Sequence, residues 1–339
     1  MKKLLSKAFI IAEIGVNHNG DMSLARDMID QACNSGADAV KFQTYKTERL
    51  VSKETPKVSY QENNTKKNET HFDMLKKLEL TEENHFLLYS YSKEKKIEFI
   101  STPYDVEDAK FLFNLGINTF KTASADIVDF PLHDYLSKIN KDVIISTGMA
   151  TKEEVIEVMS FYKKKINKPY LLHCISNYPC LDKNINLNVI NFLKSINGER
   201  VGFSDHSVGN FASIGAITMG AKVIEKHFTL DKNLDGPDHK ASSTPSEFKS
   251  LVNDIRKMEK LMGSENKIVY EEEMQMRKVS RKSLFFKKNI KANTIIGIEH
   301  LTLKRPGTGI YSTYIKDVIG KKAKQDVFKD EIVTFEKIY

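Results

Sequence analysis

Eight short apolar segments of β type recur along the first two-thirds of the chain, with helical patterns between them. They cover 9–14, 39–42, 98–101, 118–121, 143–146, 170–173, 201–204 and 223–227. In the intervening stretches, Ala25, Met28, Ile29 and Ala32 keep one helical face that Gly36 ends. Thr151 and Glu154 make a capping-box pattern ahead of Val155, Val158, Met159 and Tyr162. Thr244-Pro245-Ser246-Glu247 opens another helix, with Phe248, Leu251, Val252, Ile255 and Met262 on its apolar face. A strand followed by a helix, repeated eight times, predicts a closed (β/α)8 barrel, a TIM barrel. An open doubly wound sheet would favour fewer strands and a glycine-rich phosphate turn after the first. The first turn here reads Glu13-Ile14-Gly15-Val16-Asn17-His18-Asn19-Gly20 and lacks that pattern.

The second connection is long and polar from 47 to 68, with Asn63-Asn64-Thr65-Lys66-Lys67-Asn68 at its centre. It reads as a loop over the barrel mouth, with 72–80 returning as a helix. The barrel is expected over 1–265, a Glu-rich linker over 266–282 and a small second domain over 283–339. Ser283-Leu284-Phe285-Phe286 opens that domain, with further short strands at 289–291 and 299–302. So small a unit should pack on the barrel or on a partner.

An apolar content of 40%, with 19 Phe and 13 Tyr, builds a sizeable core and excludes global disorder. No apolar run reaches the length of a membrane span, so no membrane partner is expected. Met1-Lys2-Lys3-Leu4-Leu5 begins like a signal peptide but no apolar stretch or cleavage site follows. Cys33, Cys174 and Cys180 form neither an even disulfide framework nor a Cys-x-x-Cys pair, which suits a reducing, cytoplasmic setting. The net charge of +7 is scattered over lysines, as at Lys163-Lys164-Lys165, and not gathered into an aromatic-laced stripe. Nucleic acid is therefore not an expected partner, and a basic pocket for a small anion remains open.

The C-terminal strand ends are the working face of such a barrel. In order they carry Glu13; Lys41 and Gln43; Ser101 and Thr102; Lys121, Ser124 and Asp126; Ser146 and Thr147; His173; Ser204 and His206; Glu225 and His227. A ring this rich in Lys, His and acids goes beyond solvation. Lys41 and Lys121 enter from apolar strands, where a cation needs an anionic partner or loses its proton. A Schiff-base lysine is one use; a clamp for phosphate or carboxylate is the other, favoured by Gln43, Thr102, Ser124 and Ser204 as donors. His206 and His227, at adjacent strand ends, are candidate ligands of a divalent metal with open positions for water and substrate. A single His is ordinarily a hydrogen-bonded core residue, which is the better reading of His173. Asp205 could orient His206, and Asp238, in Gly236-Pro237-Asp238-His239, could add a carboxylate at the mouth.

Taken together, these motifs resemble the sialic acid synthase (NeuB-type) family. The matching stretches are Ile11-Ala12-Glu13-Ile14-Gly15-Val16-Asn17-His18-Asn19-Gly20, Val40-Lys41-Phe42-Gln43-Thr44, Ser101-Thr102-Pro103-Tyr104 and Ser146-Thr147-Gly148-Met149, then Phe203-Ser204-Asp205-His206, Ile224-Glu225-Lys226-His227-Phe228-Thr229-Leu230-Asp231 and Gly236-Pro237-Asp238. Lys304-Arg305-Pro306-Gly307 with Ile319-Gly320-Lys321 resembles the family's small antifreeze-like (SAF) domain. The resemblance runs over nearly the whole chain.

It implies condensation of phosphoenolpyruvate with an open-chain N-acetylated hexosamine, usually N-acetylmannosamine, with release of phosphate and formation of a nine-carbon 2-keto acid. It further implies Mn²⁺, or Mg²⁺ or Co²⁺, held by His206 and His227. Lys41, Thr102, Lys121, Ser124 and Ser204 match phosphoenolpyruvate-binding positions. Glu13, Gln43 and Asp238 match positions for the metal water or the sugar, and Tyr178 falls among the substrate-binding ones. Arg305 matches an arginine sent across a domain-swapped homodimer to the acetamido group. Glu13, Asp126, His206 and His227 form the implied catalytic set, although Asp126 stands where Glu is commoner. Ser176 and Asn177 lie where the family varies with its sugar. The expected product is N-acetylneuraminate, with N,N'-diacetyllegionaminate from 2,4-diacetamido-2,4,6-trideoxymannose as the alternative. An aldolase-type lyase is a lesser alternative. A non-catalytic polysaccharide-binding protein would want exposed aromatic platforms, and the chain has no Trp.

Overall fold

The computed structural model describes residues 6–65, 69–165 and 168–339, so Met1–Leu5 and Lys66–Asn68 of the stretches discussed above lie outside the described residues. The chain divides into two compact units, Met1–Gly263 and Ser264–Tyr339. In the first, eight parallel strands close into a barrel in sequence order: β1 (Phe9–Gly15), β2 (Ala39–Thr44), β3 (Glu98–Pro103), β4 (Thr119–Thr122), β5 (Asp142–Ser146), β6 (Tyr170–Cys174), β7 (Val201–Asp205) and β8 (Val223–His227). β8 pairs with β1 and completes the circle. All eight expected segments are strands, most of them longer than the apolar run by a residue or two at an end. Most of the added residues, such as Gln43, Thr44, Thr102 and Asp205, are polar ones that hydropathy alone assigns to loops.

Two apolar layers follow from the two faces of these strands. Ile11, Ala39, Ile100, Ile144, Tyr170, Leu172 and Val223 form an inner cluster. Their strand neighbours Ile10, Val40, Phe99, Ile145, Leu171 and Ile224 pack outward against the helices. At Gly202 a Cβ would overlap the Val223 carbonyl and the Leu172 side chain, so the interior is filled and only glycine fits there.

The helical patterns hold. Ala25, Met28, Ile29 and Ala32 are buried on helix Met22–Asn34, whose N-cap Asp21 accepts from Ser23 and Leu24 backbone N–H groups. The Thr151–Glu154 capping box is formed in both directions, and at the other helix start the Glu247 carboxylate accepts from the Thr244 N–H at 2.9 Å. Met262, expected on a buried face, is instead half exposed at the end of its helix. The long second connection carries three short helices, Thr47–Leu50, Ser59–Asn64 and His71–Leu78.

The second unit has its own core, with Leu284, Phe286, Ile296, Val318 and Val333 all buried. β9 (Ser283–Phe286) and β10 (Leu301–Lys304) pair antiparallel within it. The stretch 266–282, expected as a linker, contains helix Glu271–Ser280, which buries none of its residues. Without a buried stripe it leaves no apolar periodicity to read. No helix among the described residues is long and apolar enough to cross a membrane.

Candidate active site

Successive side chains on a strand point to opposite faces. On β8, Val223 belongs to the inner cluster and Ile224 to the outer layer. Glu225 and His227 therefore share the inward face, and Lys226 the outward one. The same count sends Glu13, Lys41, Gln43, Thr102, Ser146, Cys174, Ser204 and His206 inward, above the inner apolar cluster, and all of them line one cavity together with Lys121, Glu225 and His227. Register then sets the neighbours: Glu13 lies opposite Lys41 on one side and His227 on the other, and Ser204 opposite Glu225.

Two lysines and two glutamates make the floor. Lys41 Nζ lies 2.7 Å from Glu13 Oε2 and 3.9 Å from Glu225 Oε2, and donates to Thr102 Oγ1 at 3.1 Å. Lys121 Nζ lies 3.5 Å from Glu225 Oε1 and donates to the Thr122 carbonyl at 3.1 Å. Ser204 Oγ donates to Glu225 Oε1 at 3.0 Å, and Gln43 Nε2 to Glu13 Oε1 at 3.4 Å. The lysines thus carry carboxylate partners of their own. The anionic partner expected for each buried lysine is supplied, at least in part, by the chain itself.

The two acids differ in what surrounds them. Burial pushes Glu13 up, with Glu225 adding to the rise, and Lys41 only partly offsets both. Burial also works against the charge of Glu225, yet Lys121 and Lys41 outweigh it and hold that carboxyl low. Burial opposes the charge on Lys41 while Glu13 and Glu225 keep it above the ordinary lysine value. Lys121 falls below that value, chiefly through burial. A glutamate that protonates readily beside two ammonium groups leaves the floor with surplus positive charge. That suits an entering anion.

His206 and His227 have ring centroids 5.3 Å apart. His206 Nδ1 donates to the Ile175 carbonyl at 2.7 Å, so Nε2 is the atom that carries the lone pair when the ring is neutral. Burial opposes its charge, but Cys174, the Ile175 carbonyl and Glu225 hold its pKa above the ordinary histidine value. Burial, with His206 and Lys41 nearby, holds His227 far below the ordinary histidine value, so it is neutral. Its Nδ1 is buried without a hydrogen-bond partner. Two imidazole lone pairs side by side, one with no protein donor, fit a divalent cation. Among the described residues no group of three His, Cys, Asp or Glu is arranged to hold one, so water and substrate would complete its shell. The Tyr178 ring lies 4.1 Å from His206 and 5.4 Å from His227, forming that side of the cavity.

Ser124 also lines the cavity and accepts from the Gly148 N–H at 3.1 Å. Asp238 lines it too, on a loop whose Pro237 carbonyl accepts from Asn64 Nδ2 at 2.9 Å. Two expected placements differ, and a third, His173, keeps the core role expected of it. Asp205 faces outward, paired with Lys226 at 2.9 Å, and does not orient His206. His173 also faces outward, bonded to the Ile185 carbonyl at 2.6 Å, as the bland reading held. Asp126 is absent from the lining, and its Oδ2 is buried without a partner. Residues Ser124–Val128 form a 3₁₀ turn, where side chains rotate by about 120° per residue. Strand alternation therefore no longer carries Asp126 to the face that Ser124 occupies. Arg305 lies on an exposed stretch of the second unit, just after β10. Glu225 stood in the ring of strand ends without a role, and its parity with His227 was the signal for one. Tyr104 and Cys174 line the cavity as well; Cys174 Sγ lies 3.7 Å from His206 Nδ1.

Burial, then Asp129, raises Asp126 to about 7. A raised carboxyl contributes stability that is full below its unfolded value and is lost as pH rises through about 7. Asp126→Asn is therefore expected to melt higher than the unsubstituted protein at pH 8 and equally near pH 4, with kcat kept within about tenfold. Melting curves at both pH values and one rate measurement check this; a far larger fall in kcat would return Asp126 to the reacting groups.

A family model described as the NeuB family matches residues 28–267, and one described as the SAF domain matches residues 281–338. The chain is 41% identical to the N,N'-diacetyllegionaminic acid synthase of Campylobacter jejuni, over 97% of this chain and 99% of that protein. It is 32% identical to the N-acetylneuraminate-9-phosphate synthase of Homo sapiens, over 97% and 92% respectively. Among solved structures, the N-acetylneuraminic acid (sialic acid) synthetase from Leptospira borgpetersenii serovar Hardjo-bovis superposes with a TM-score of 0.71 at 34% identity, covering 80% of this chain and 90% of that one.

Proposed function

The chain belongs to the NeuB family, and on that premise we propose that it condenses phosphoenolpyruvate with an open-chain 2-acetamido aldose, releasing phosphate and forming a nine-carbon 2-keto acid. The observation that carries this is one floor with two lysine–glutamate pairs set against two adjacent neutral-capable imidazoles. A divalent cation held by His206 and His227, with Mn²⁺ the first candidate, would supply Lewis-acid polarisation of the sugar aldehyde.

The chain's own groups do the rest. Lys41 and Lys121 exchange part of their contact with Glu13 and Glu225 for the substrate's carboxylate and phosphate, and Thr102, Ser124 and Ser204 add neutral donors. The C2–C3 π pair of phosphoenolpyruvate forms a bond from C3 to the aldehyde carbon, whose C=O π pair moves onto its oxygen. Water oxygen then bonds to C2, and the bond from C2 to the phosphate oxygen breaks. Glu13, with its raised carboxyl, takes one proton of that water. The former aldehyde oxygen becomes a hydroxyl with one proton, made good by the one Glu13 removes, while the second water proton leaves with phosphate. Asp126 has no part in this. Gln43, Tyr178 and Asp238 hold the sugar, and Arg305 of a second copy meets its acetamido group in a domain-swapped homodimer. A Schiff-base lysine is the lesser reading: burial does lower Lys121, but its ammonium stays beside Glu225.

Higher identity to the Campylobacter synthase than to the human one favours 2,4-diacetamido-2,4,6-trideoxymannose as the acceptor over N-acetylmannosamine. The reading is tested by whether phosphate leaves phosphoenolpyruvate only when such a sugar is present.

A further inference from the structure

The floor of the cavity is polar, but another part of its wall is not. The connection between β2 and β3 supplies Leu50, Val51, Val58, Met74 and Leu75 to the lining. Met74 and Leu75 belong to a small apolar cluster with Val16, Tyr45 and Leu78, separate from the barrel layers. Glu79 closes the two ends of this segment together: its Oε2 accepts from the Thr47 N–H and hydroxyl at 3.0 and 2.9 Å, and its Oε1 pairs with Lys46 at 3.0 Å. Among the described residues of the segment, the polar side chains that line the cavity are Gln61 and His71.

Each of the two already has one polar atom settled. Gln61 Oε1 accepts from the Val58 N–H at 3.2 Å, which leaves its NH₂ group for the cavity. His71 Nδ1 is buried without a partner. Burial, then Lys57, lowers the pKa of this ring, so it is neutral near pH 7. An orphaned lone pair is better tolerated in a protein interior than an orphaned N–H, which places the ring proton on Nε2. The wall therefore offers two uncharged N–H donors set among aliphatic side chains.

We propose that Gln61 and His71 form the subsite for the end of the acceptor remote from its aldehyde, where they recognise a second acetamido carbonyl beside a carbon that bears no hydroxyl. This rests on the condensation proposed above. A carboxylate or phosphate would be desolvated here, and Lys57, the cation beside His71, is already set against Glu69 at 3.7 Å. A run of hydroxyls would leave polar groups unpaired against Leu50, Val51 and Val58. A neutral carbonyl next to a methyl group satisfies both donors and the aliphatic surface.

The test is steady-state kinetics on the full chain with phosphoenolpyruvate and two acceptors, 2,4-diacetamido-2,4,6-trideoxymannose and N-acetylmannosamine. His71→Leu is expected to raise KM for the diacetamido sugar about tenfold while leaving the other two KM values within about twofold. His71→Gln, which retains an N–H donor, is expected to restore most of the loss. An equal rise for both sugars, no rise for the diacetamido sugar, or a rise for phosphoenolpyruvate would overturn the subsite. If the unsubstituted protein turns over neither sugar, the condensation itself fails. The subsite is then decided by thermal shift with the diacetamido sugar alone: stabilisation lost in His71→Leu supports it, and equal or absent stabilisation overturns it.

Discussion

Lys121→Met is expected to lower kcat/KM for phosphoenolpyruvate by on the order of 10³, with the acceptor KM changed only a few-fold. Lys121 is among the most deeply buried large side chains of the barrel, and Met keeps its length without its charge. Its ammonium is one of two that face Glu225, so the substitution removes a fixed positive group from the place where substrate anion charge would lie. Glu225 would still have Lys41 at 3.9 Å, too distant for a hydrogen bond, and its carboxyl would rise. The double substitution Lys121→Met with Glu225→Gln separates two explanations. Should it regain activity, Lys121 serves only to neutralise Glu225. Continued inactivity in a well-folded double variant places Lys121 on the substrate.

Asp205→Ala should have its large effect on stability and little on the chemistry. The Asp205 carboxylate accepts from the Ser207 N–H at 2.8 Å, Ser207 Oγ at 2.6 Å, Ser213 Oγ at 2.6 Å and Lys226 Nζ at 2.9 Å. All of this is buried behind the barrel wall. Removing one member of a buried pair strands the other, at a cost of about 3–5 kcal/mol. In a unit of this size that lowers Tm by roughly 10 °C. Below the transition the KM values should stay within a few-fold. A variant with an unchanged Tm and a lost rate would mean that Asp205 acts on His206 after all.

The contrast between these two residues shows how the site is written in the chain. Lys121 and Asp205 both sit at strand ends, and both belong to short apolar runs that turn polar. What separates them is parity. Counting by twos from Val223 gives Glu225 and His227, and from Gly202 gives Ser204 and His206; the odd members, Lys226 and Asp205, find each other outside. Most of the cavity floor was therefore legible, including Glu225, once the strands were placed. Parity fails where the strand stops being a strand. The 3₁₀ turn after β4 puts Ser124 in the cavity lining and leaves Asp126 out of it. The apolar wall was illegible for a different reason. Its residues come from a long polar connection in which only the helix His71–Leu78 has a readable apolar face, and it takes the tertiary cluster around Met74 and Leu75 to bring them to the mouth. Helix Glu271–Ser280 escaped notice because nothing on it is buried.

The most direct measurement is phosphate release from phosphoenolpyruvate by the full chain, with and without a 2-acetamido aldose, before and after treatment with a chelator. The expected result is release only with the sugar, one phosphate per 2-keto acid formed, faster with the diacetamido sugar than with N-acetylmannosamine, abolished by chelator and restored by Mn²⁺. Release without any sugar, or undiminished by chelator, would contradict the reaction assigned to the floor of Lys41, Lys121, His206 and His227.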